Sequence, residues 1–311
     1  MRIAIVGAGG IGGYLAAKLT AAGRDVALVA RGEQKDAILE GGLKLIDPDG
    51  DLTVRPAIVT ENVSEIGHPE LIVLCVKGHQ LAAAINQVTP AVGDNTRVLP
   101  FQNGVDAPDM LADAFGAKRA LIGVARFFAN ITAPGVITRY GVPRGFTVGL
   151  LDGTQTDAQD ILDVLRDAGI VAPDHSDVRI DLWQKFILFN AMSSLTAATR
   201  KRFGPLRENP MTVALARRLM VETWQVGCAS GVPLPDTMVD EAMNVFQSII
   251  PAEGRTSTAH DLEAGRALEI DFVSGTVARR GRALGIDVTA SETIYALLSP
   301  WKTGGSDQAS V

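Results

Sequence analysis

The stretch RIAIVGAGGIG, residues 2–12, decides the fold of the first part of this chain. A short aliphatic strand runs directly into a glycine-rich turn that opens a helix, and the turn fits the pattern GxGxxG of dinucleotide-binding sites. In that pattern Gly7 makes the tight turn, Gly9 lets the backbone approach a pyrophosphate, and Gly12 lets helix and strand pack closely. The helix N-terminus then presents free N–H groups to the phosphates. The residues expected to bind the cofactor at this turn are Gly7, Ala8, Gly9, Gly10, Ile11 and Gly12.

Aliphatic runs alternate with helical stretches through the first half of the chain. Strands are predicted over 2–6, 25–30, 71–76 and 96–100, with helices over 13–22 and 80–88. Continuous aliphatic strands that alternate with helices are typical of a parallel sheet that is covered on both faces. The pattern therefore predicts an α/β domain of the Rossmann type.

A hairpin and two further strands are predicted within this domain. The turn Asp47-Pro48-Asp49-Gly50 lies between apolar runs at 43–46 and 52–54, which indicates a hairpin at the edge of the sheet. Two later pieces, 136–140 and 146–150, also have strand-like composition.

Helix signals dominate after about residue 176. Asn209 followed by Pro210 is typical of a helix start, Gly231 is a suitable stop, and Pro251 and Pro300 end further helical stretches. We predict a helical domain at 176–311 that follows a dinucleotide-binding domain at 1–175, with the boundary between 165 and 182.

Composition excludes several classes of protein. The 311 residues suggest two domains, and the 47% hydrophobic and 21% charged residues are typical of a soluble globular protein. With 29 basic and 35 acidic residues the net charge is −6, so nucleic acid and anionic membranes are not expected as partners. No apolar run approaches the roughly 18 residues that span a bilayer, and the N-terminus lacks a signal sequence. We expect a cytoplasmic enzyme.

Cysteine and histidine give no sign of a metal site. Cys75 and Cys228 are too few for a disulfide framework or a thiolate zinc site. The four histidines form no HxxH or HExxH pair, so no metal is predicted.

The choice of cofactor should show at the end of the second strand. An NAD site usually carries Asp or Glu there to bind the ribose 2′-OH, whereas this chain has Ala30-Arg31-Gly32. A guanidinium suits a 2′-phosphate, which it can hold by two parallel hydrogen bonds. Arg31 therefore favours NADP(H), although Glu33 lies close and a solvated loop charge is the other interpretation.

At this point the chain resembles the ketopantoate reductase (2-dehydropantoate 2-reductase) family over nearly its whole length. The order and spacing of the matching pieces carry the resemblance more than any one of them. They are GAGGIGG at 7–13, Val76-Lys77 with Gln80, Gln102-Asn103-Gly104, Leu182-Trp183-Gln184-Lys185, and Ser257 through Glu269-Ile270-Asp271. The resemblance implies reduction of a 2-oxo acid by NADPH in a cleft between a Rossmann domain and a helical domain.

The resemblance implies two catalytic residues, Lys185 and Glu269. Lys185 falls on the family's general acid, and hydride transfer to a carbonyl carbon requires such a proton donor and a nearby positive charge. Glu269 matches a glutamate that contacts the substrate hydroxyl and the nicotinamide end of the cofactor. A surface position for Lys185 and a structural salt bridge for Glu269 are the alternatives.

Four more residues match cofactor or substrate contacts of the family. Asn103 matches an asparagine that meets the nicotinamide ribose and the substrate, and Lys77 and Gln80 match cofactor contacts. Ser257 matches the serine that holds the substrate carboxylate, and a helix cap is its other interpretation. A simple turn is the alternative for Asn103.

The sequence departs from the family where the substrate side chain should bind. The family has asparagines four, eight and eighteen residues after the catalytic lysine, but this chain has Phe189, Ser193 and Phe203. Asn190 is one residue late, which rotates it by about 100° around the helix. Apolar walls discriminate weakly between substrates, so a bulkier or less polar 2-oxo acid than ketopantoate stays open.

The leading functional hypothesis is NADPH-dependent reduction of a 2-oxo acid, with ketopantoate and pantothenate biosynthesis named by the resemblance. A reductase for a bulkier 2-oxo acid and a non-catalytic NADP-binding redox sensor are the alternatives. A 3-hydroxyacid or polyol-phosphate dehydrogenase, which also pairs a Rossmann with a helical domain, is a further one. Assembly into a homodimer stays open.

Overall fold

The computed structural model describes residues 1–305, and for residues 142–144 it describes the backbone alone. The strands are β1 (Arg2–Val6), β2 (Asp25–Val29), β3 (Leu43–Ile46), β4 (Leu52–Val54), β5 (Ile58–Thr60), β6 (Leu71–Leu74), β7 (Arg97–Pro100), β8 (Leu121–Ala133) and β9 (Val136–Leu150). The helices are α1 (Gly10–Ala21), α2 (Gly32–Gly41), α3 (Leu81–Val88), α4 (Ala107–Phe115), α5 (Gln159–Asp167), α6 (Val178–Thr199), α7 (Phe203–Glu208), α8 (Pro210–Ala229), α9 (Met238–Asn244), α10 (Ser257–Glu263), α11 (Ser274–Ala283) and α12 (Thr289–Leu298).

A parallel sheet with the strand order β5-β2-β1-β6-β7 lies at the centre of the first part of the chain. In its register Ile5 of β1 is opposite Leu28 of β2 and Val73 of β6, and all three side chains are buried. Both faces of these strands are covered, which is why they are continuous aliphatic runs in the sequence. The prediction of a Rossmann-type α/β fold is confirmed.

The predicted hairpin forms, but not at the edge of the parallel sheet. β3 and β4 pair antiparallel, and β3 then pairs with β9 in a second sheet of order β4-β3-β9-β8. A buried ion pair holds this arrangement, since Arg139 of β9 binds Asp47 in the hairpin turn and both side chains are at most 3% exposed. The sequence-based placement is therefore corrected by a contact between residues 92 positions apart.

The two strand-like pieces after residue 135 are parts of one long strand. β9 runs through both, and it pairs with β8 as an antiparallel ribbon. The register shifts between Arg126 and Phe128, and Gly141 and Gly145 have φ angles of +67° and +100°. The glycines that separate the two pieces in the sequence therefore mark an irregularity within the ribbon.

The second part of the chain is helical, as predicted. α8 begins at Pro210, and its cap is Asn209, whose Oδ1 accepts a hydrogen bond from the Met211 amide at 2.9 Å. Gly231, with a φ angle of +82°, follows the end of α8. Glu222 of α8 is fully buried and accepts hydrogen bonds from Ser291 at the start of α12.

Contacts divide the chain into two compact units. The first contains residues 1–102 and 107–181, and the second contains 103–106 and the chain from Leu182 onward. The division falls within α6. The functional domains 1–175 and 176–311 stay a prediction, because compactness does not test where a functional domain ends.

Candidate active site

The glycine-rich turn has the geometry that a dinucleotide requires. Gly7 has a φ angle of +106°, and a Cβ atom at this position would lie 3.0 Å from the carbonyl of Cys75. A Cβ atom at Gly12 would lie 2.0 Å from the Gly7 oxygen, so Gly12 allows α1 to approach β1. At Gly9, by contrast, no atom lies within 4 Å of such a Cβ. The space over Gly9 is open, which fits a pyrophosphate that approaches the backbone.

The first turn of α1 supplies hydrogen-bond donors beside that space. The N–H groups of Gly10, Ile11 and Gly12 donate no hydrogen bond to the described residues. Free N–H groups and the positive end of the helix dipole favour phosphate at such a helix start. The residues present therefore fit the pyrophosphate of a dinucleotide.

Gln34 of α2 forms hydrogen bonds both to the glycine-rich turn and to the connection between β8 and β9. Its Nε2 donates to the carbonyl of Ala8 at 3.1 Å, and its Oε1 accepts from the amide of Gly135, between β8 and β9, at 2.8 Å. The same ribbon also passes over α1, because a Cβ atom on Gly10 would lie 1.9 Å from the Ala129 oxygen. The absence of a side chain at Gly10 thus makes room for β8, and its predicted backbone contact with the cofactor is unaffected.

Arg31 follows the carboxyl end of β2 and is exposed. Its Nη2 donates to Oε1 of Gln87 on α3 at 2.7 Å. In parallel sheets of this kind ligands bind beyond the carboxyl ends of the strands. Arg31 is therefore at the side of the sheet where a dinucleotide would bind, and its contact with the adenosine ribose stays a prediction.

Lys77 and Gln80 follow the carboxyl end of β6, which is the neighbour of β1 in the sheet. Both are exposed, and the Gln80 amide donates to the Lys77 carbonyl at 2.8 Å in a short 3-10 turn. They lie beyond the carboxyl ends of the same neighbouring strands as the glycine turn, where ligands bind in such sheets, and their contact with a cofactor stays a prediction.

Lys185 and Asn103 are in contact within the second unit. The Nζ atom of Lys185 donates to Oδ1 of Asn103 at 3.2 Å, although the two residues are 82 positions apart. On α6 the flanking Trp183 and Phe186 are buried, while Lys185 itself is partly exposed. The structure therefore brings together a predicted proton donor and a predicted substrate contact, and the simple-turn interpretation of Asn103 does not account for this contact.

Glu269 is buried, with 5% of its surface exposed, between the buried residues Leu268 and Ile270. It precedes a short 3-10 helix at Ile270–Phe272. A carboxylate is retained in such apolar surroundings only with compensating interactions. Its catalytic role stays a prediction.

Ser257 is not the cap of a helix. It is the first residue of α10, and the cap position belongs to Thr256, whose Oγ1 lies 2.7 Å from Oγ1 of Thr196. Ser257 is exposed and its hydroxyl bonds to none of the residues in 1–305, so the hydroxyl is available to a ligand.

Phe189 and Ser193 follow Lys185 by four and eight residues on α6 and share its face of the helix. Phe189 is partly exposed. Ser193 is 1% exposed, and within the described chain its Oγ has no hydrogen-bond partner. An unsatisfied buried hydroxyl costs about 1–3 kcal/mol, which a polar group of a ligand can offset.

Phe203 is the residue for which the pocket prediction is wrong. It is 2% exposed and packs edge-on against Phe246, with ring centroids 6.3 Å apart. The guanidinium of Arg207 lies 5.9 Å from the centroid of the same ring. A side chain buried in this way has almost no surface that a ligand could contact. Its ring instead fills part of the core of the helical unit.

Asn190 is also structural. It is fully buried, its Nδ2 donates to Thr223 Oγ1 at 2.9 Å, and its Oδ1 accepts from Ser194. The amide ties α6 to α8 and points away from the face that carries Lys185.

Sequence reasoning missed the polar residues that hold the site. Gln34 and Gln87 support the cofactor edge, and Asp106 anchors the loop that carries Asn103. Gln102 donates to the carbonyls of Leu74 and Val76, which fixes the end of β6. Gln102 is part of the motif Gln102-Asn103-Gly104 quoted from the sequence, but no role was assigned to it there, and only its proximity to Asn103 could have drawn attention to Asp106.

Comparison with known proteins identifies the family of the chain. The family model described as ketopantoate reductase PanE/ApbA matches residues 3–153, and the model of its C-terminal domain matches 177–302. A 2-dehydropantoate 2-reductase of Mesorhizobium japonicum is 33% identical, over 96% of this chain and 97% of its own length. The chain belongs to the ketopantoate reductase family. As a member of it, the chain is an oxidoreductase that acts on CH–OH groups.

Solved structures place ketopantoate reductases on the same fold. A PanE/ApbA family ketopantoate reductase from Ralstonia eutropha JMP134 aligns with a TM-score of 0.88 at 31% identity, covering 97% of this chain and 98% of its own. D-Mandelate dehydrogenase with NADH and anilino(oxo)acetate aligns with a TM-score of 0.86 at 22% identity, covering 97% and 98%. The latter likeness concerns the fold alone. The family acts on small 2-oxo acids with a nicotinamide dinucleotide.

Neither a metal centre nor a membrane-spanning helix is found in the part of the chain that the structure describes. Among residues 1–305 no cluster of His, Cys, Asp and Glu could hold a metal ion. No helix in the same range is long and apolar enough to cross a membrane.

Proposed function

We propose that this protein uses NADPH to reduce 2-dehydropantoate to pantoate in pantothenate biosynthesis. The observation that carries the proposal is the hydrogen bond from Lys185 to Asn103, since it joins the expected proton donor to a residue expected to contact the substrate. The names of the relatives supply the substrate.

The residues proposed to bind NADPH follow the carboxyl ends of neighbouring strands in the parallel sheet. Gly7, Gly9 and the first turn of α1 would hold the pyrophosphate, Arg31 the 2′-phosphate, and Lys77 and Gln80 further parts of the dinucleotide. When bound, the nicotinamide supplies a hydride to C2 of the 2-oxo acid.

Lys185 would supply the proton and the positive charge at the substrate carbonyl oxygen. As hydride adds to C2, the oxygen becomes an alkoxide and takes a proton from the Lys185 ammonium, so the product is a 2-hydroxy acid. Asn103 holds the Lys185 ammonium by its Oδ1. The Ser257 hydroxyl is free to donate to the substrate carboxylate, and Glu269 would accept from the new hydroxyl.

A second candidate substrate is a 2-oxo acid with a bulkier side chain. Phe189 supports it, because an aromatic ring occupies the Lys185 face of α6 and remains partly exposed. D-Mandelate dehydrogenase shows that this fold also accommodates an aryl-substituted oxo acid. Phe203 gives no support, since its ring is buried.

The test is the oxidation of NADPH, followed by absorbance, with a panel of 2-oxo acids that includes 2-dehydropantoate and a phenyl-substituted member. Lys185→Met should lower kcat by about 10²- to 10⁴-fold, because the proton donor is lost, while NADPH still binds. Lys201→Met removes the same charge at an exposed position after α6 and should keep full activity.

The outcomes separate the alternatives. No turnover with any member of the panel, together with equal NADPH binding by wild type and Lys185→Met, would favour a redox sensor. Faster turnover of the phenyl-substituted acid selects the second candidate. Mass spectrometry of the product distinguishes reduction at C2 from a reaction at C3.

A further inference from the structure

The short loop that carries Asn103 is held from within the helical unit. Residues Asn103–Asp106 follow β7 in the sequence, yet their contacts assign them to the second unit. Gly104 has a φ angle of +94°, and a Cβ atom there would lie 2.3 Å from the carbonyl oxygen of Phe272. The backbone of the loop therefore lies directly against the segment before α11.

Asp106 is the anchor of this loop. Its Oδ1 accepts from Nε of Arg280 at 2.8 Å, and its Oδ2 accepts from Oγ1 of Thr276 at 2.5 Å and from Nη2 of Arg279 at 2.9 Å. Its side chain is only 13% exposed. A partly buried carboxylate between two guanidinium groups has a well-defined position, because each hydrogen bond is charge-assisted and directional.

Arg279, one of the residues that bind Asp106, has a further hydrogen-bond partner of its own. Arg279 donates from Nη1 to the carbonyl of Asp271 at 2.8 Å, and Asp271 Oδ1 accepts from the Tyr295 hydroxyl at 2.6 Å. α11 and α12 are thereby tied to the same segment. The anchor of Asp106 is a network rather than one flexible side chain.

We propose that Asp106 is a positioning residue of the active site, which sets the place of Asn103 against Lys185. The inference rests on the proposed function, because it assumes that Lys185 and Asn103 meet the substrate. Asp106 lies three residues after Asn103, and Gly104 between them lies against the Phe272 carbonyl, where a Cβ atom would not fit. A displacement of about 1 Å in a substrate-positioning residue can cost on the order of 10²-fold in rate.

The first test compares Asp106→Asn with Asp106→Glu. The amide keeps the size of the side chain but loses the charge, and we expect kcat for the 2-oxo acid to fall by about 10- to 100-fold. The dissociation constant for NADPH should change by less than about threefold, because the glycine turn and Arg31 are untouched. Asp106→Glu keeps the charge and should recover part of kcat. Arg282→Ala breaks the exposed pair between Arg282 of α11 and Glu292 of α12 and should leave kcat unchanged.

A double-mutant cycle separates positioning from a general loss of structure. In an Asn103→Ala background, Asp106→Asn should cost little more, since the residue through which it acts is gone. The proposal would be overturned if the double variant lost kcat by the full product of the two single losses. A wild-type kcat for Asp106→Asn would overturn it as well.

Failure of the proposed function gives a different result. An inactive wild type contradicts the function, and hydrogen exchange then tests the anchor. The Asp106→Asn substitution should speed exchange of the amides at 103–105 without affecting the amides of α8. Unchanged exchange at 103–105 would overturn the positioning role.

Discussion

Arg31 donates a hydrogen bond from Nη2 to Oε1 of Gln87 at 2.7 Å, and Gln87 donates in turn to the Glu61 carbonyl at 3.2 Å. α3 therefore orients the guanidinium that follows β2. A side chain that is already oriented loses less conformational entropy when it binds a ligand. Under the proposed function, the Arg31–Gln87 pair would therefore orient the guanidinium before the 2′-phosphate of NADPH binds.

Replacement of Arg31 by Ala should abolish a preference for NADPH over NADH. Hydrogen bonds to charged groups contribute about 1.5–3 kcal/mol, so the NADPH dissociation constant should rise by about 10- to 100-fold while that of NADH changes little. Fluorescence titration with both nucleotides measures the effect. Lys118→Ala, which removes an exposed positive charge in the same unit, is the control. An unchanged preference in Arg31→Ala would contradict the assignment.

Gly9 and Gly10 should respond differently to a single methyl group. Gly9 has open space and an extended conformation, with φ −78° and ψ −168°, so Gly9→Ala should fold normally but block the pyrophosphate. Gly10→Ala places a Cβ against the Ala129 oxygen and should destabilise the fold by about 1–3 kcal/mol or more. Urea unfolding and NADPH titration of both variants check this. Equal effects of the two substitutions on stability would show that the ribbon does not constrain Gly10.

Gln34→Ala should weaken the binding of both nucleotides without changing kcat. The substitution frees the Ala8 carbonyl and the Gly135 amide, so the turn loses its support but no group that touches the substrate. We expect a rise of about 5- to 30-fold in the dissociation constants of NADPH and NADH alike. Gln159→Ala, at an exposed position on α5, should have no effect. A change in the NADPH-to-NADH ratio would instead assign Gln34 to the 2′-phosphate.

The buried pair of Asp47 and Arg139 should make the free energy of unfolding depend on pH in the acid range. Burial alone raises the pKa of Asp47, but hydrogen bonds from Arg139 and the Asp49 amide bring this pKa below its usual range. The unfolded carboxyl titrates near pH ~3.9. Because the folded pKa is lower, the stability from this group is fully present above that pH and is lost as the pH falls through the folded pKa.

Asp47→Asn should therefore lower the free energy of unfolding at neutral pH by up to about 3–5 kcal/mol, since Arg139 loses its buried charge partner and keeps only the exposed Asp49. The difference from wild type should shrink in acid, which urea unfolding at several pH values can follow. Asp49→Asn is the matched control, because Asp49 binds the same guanidinium but is 76% exposed. Equal losses in the two variants would contradict a special role for the buried carboxylate.

Phe189→Asn should shift selectivity toward 2-dehydropantoate. An amide on the Lys185 face of α6 offers hydrogen bonds to a polar substrate and removes apolar surface from a bulky one. We expect kcat/KM for 2-dehydropantoate, relative to that for a phenyl-substituted 2-oxo acid, to rise by about tenfold. Phe203→Leu, in the core, should lower stability and leave that ratio unchanged. A ratio that responds to Phe203 but not to Phe189 would reverse the assignment.

The sequence predicted those features that depend on local pattern. The aliphatic run at 2–6 and the spacing of Gly7, Gly9 and Gly12 specify a strand, a turn and a helix within about a dozen residues, and the structure has all three. Asn209 likewise specifies the start of α8 through its own side chain.

Features that depend on distant partners could not be predicted in this way. The hairpin at 43–54 joins a second sheet because Asp47 meets Arg139, and no local signal reveals that contact. In the sequence, a phenylalanine at position 203 is compatible both with a pocket wall and with a core position. Its contact with Phe246 shows that Phe203 belongs to the core. The predicted contacts at Lys185 and Asn103 came from the resemblance, but their anchor at Asp106 did not.

The anchor of the Asn103 loop also sets an order of events during synthesis. Arg280 follows Asp106 by 174 residues, so a ribosome that adds 5–20 residues per second completes α11 about 10–35 s after the loop has emerged. Throughout that interval the glycine turn and its strands can already fold, whereas Asp106 has no guanidinium to bind. The nascent chain therefore acquires the parts for nucleotide binding before the loop that carries Asn103 can take its final place.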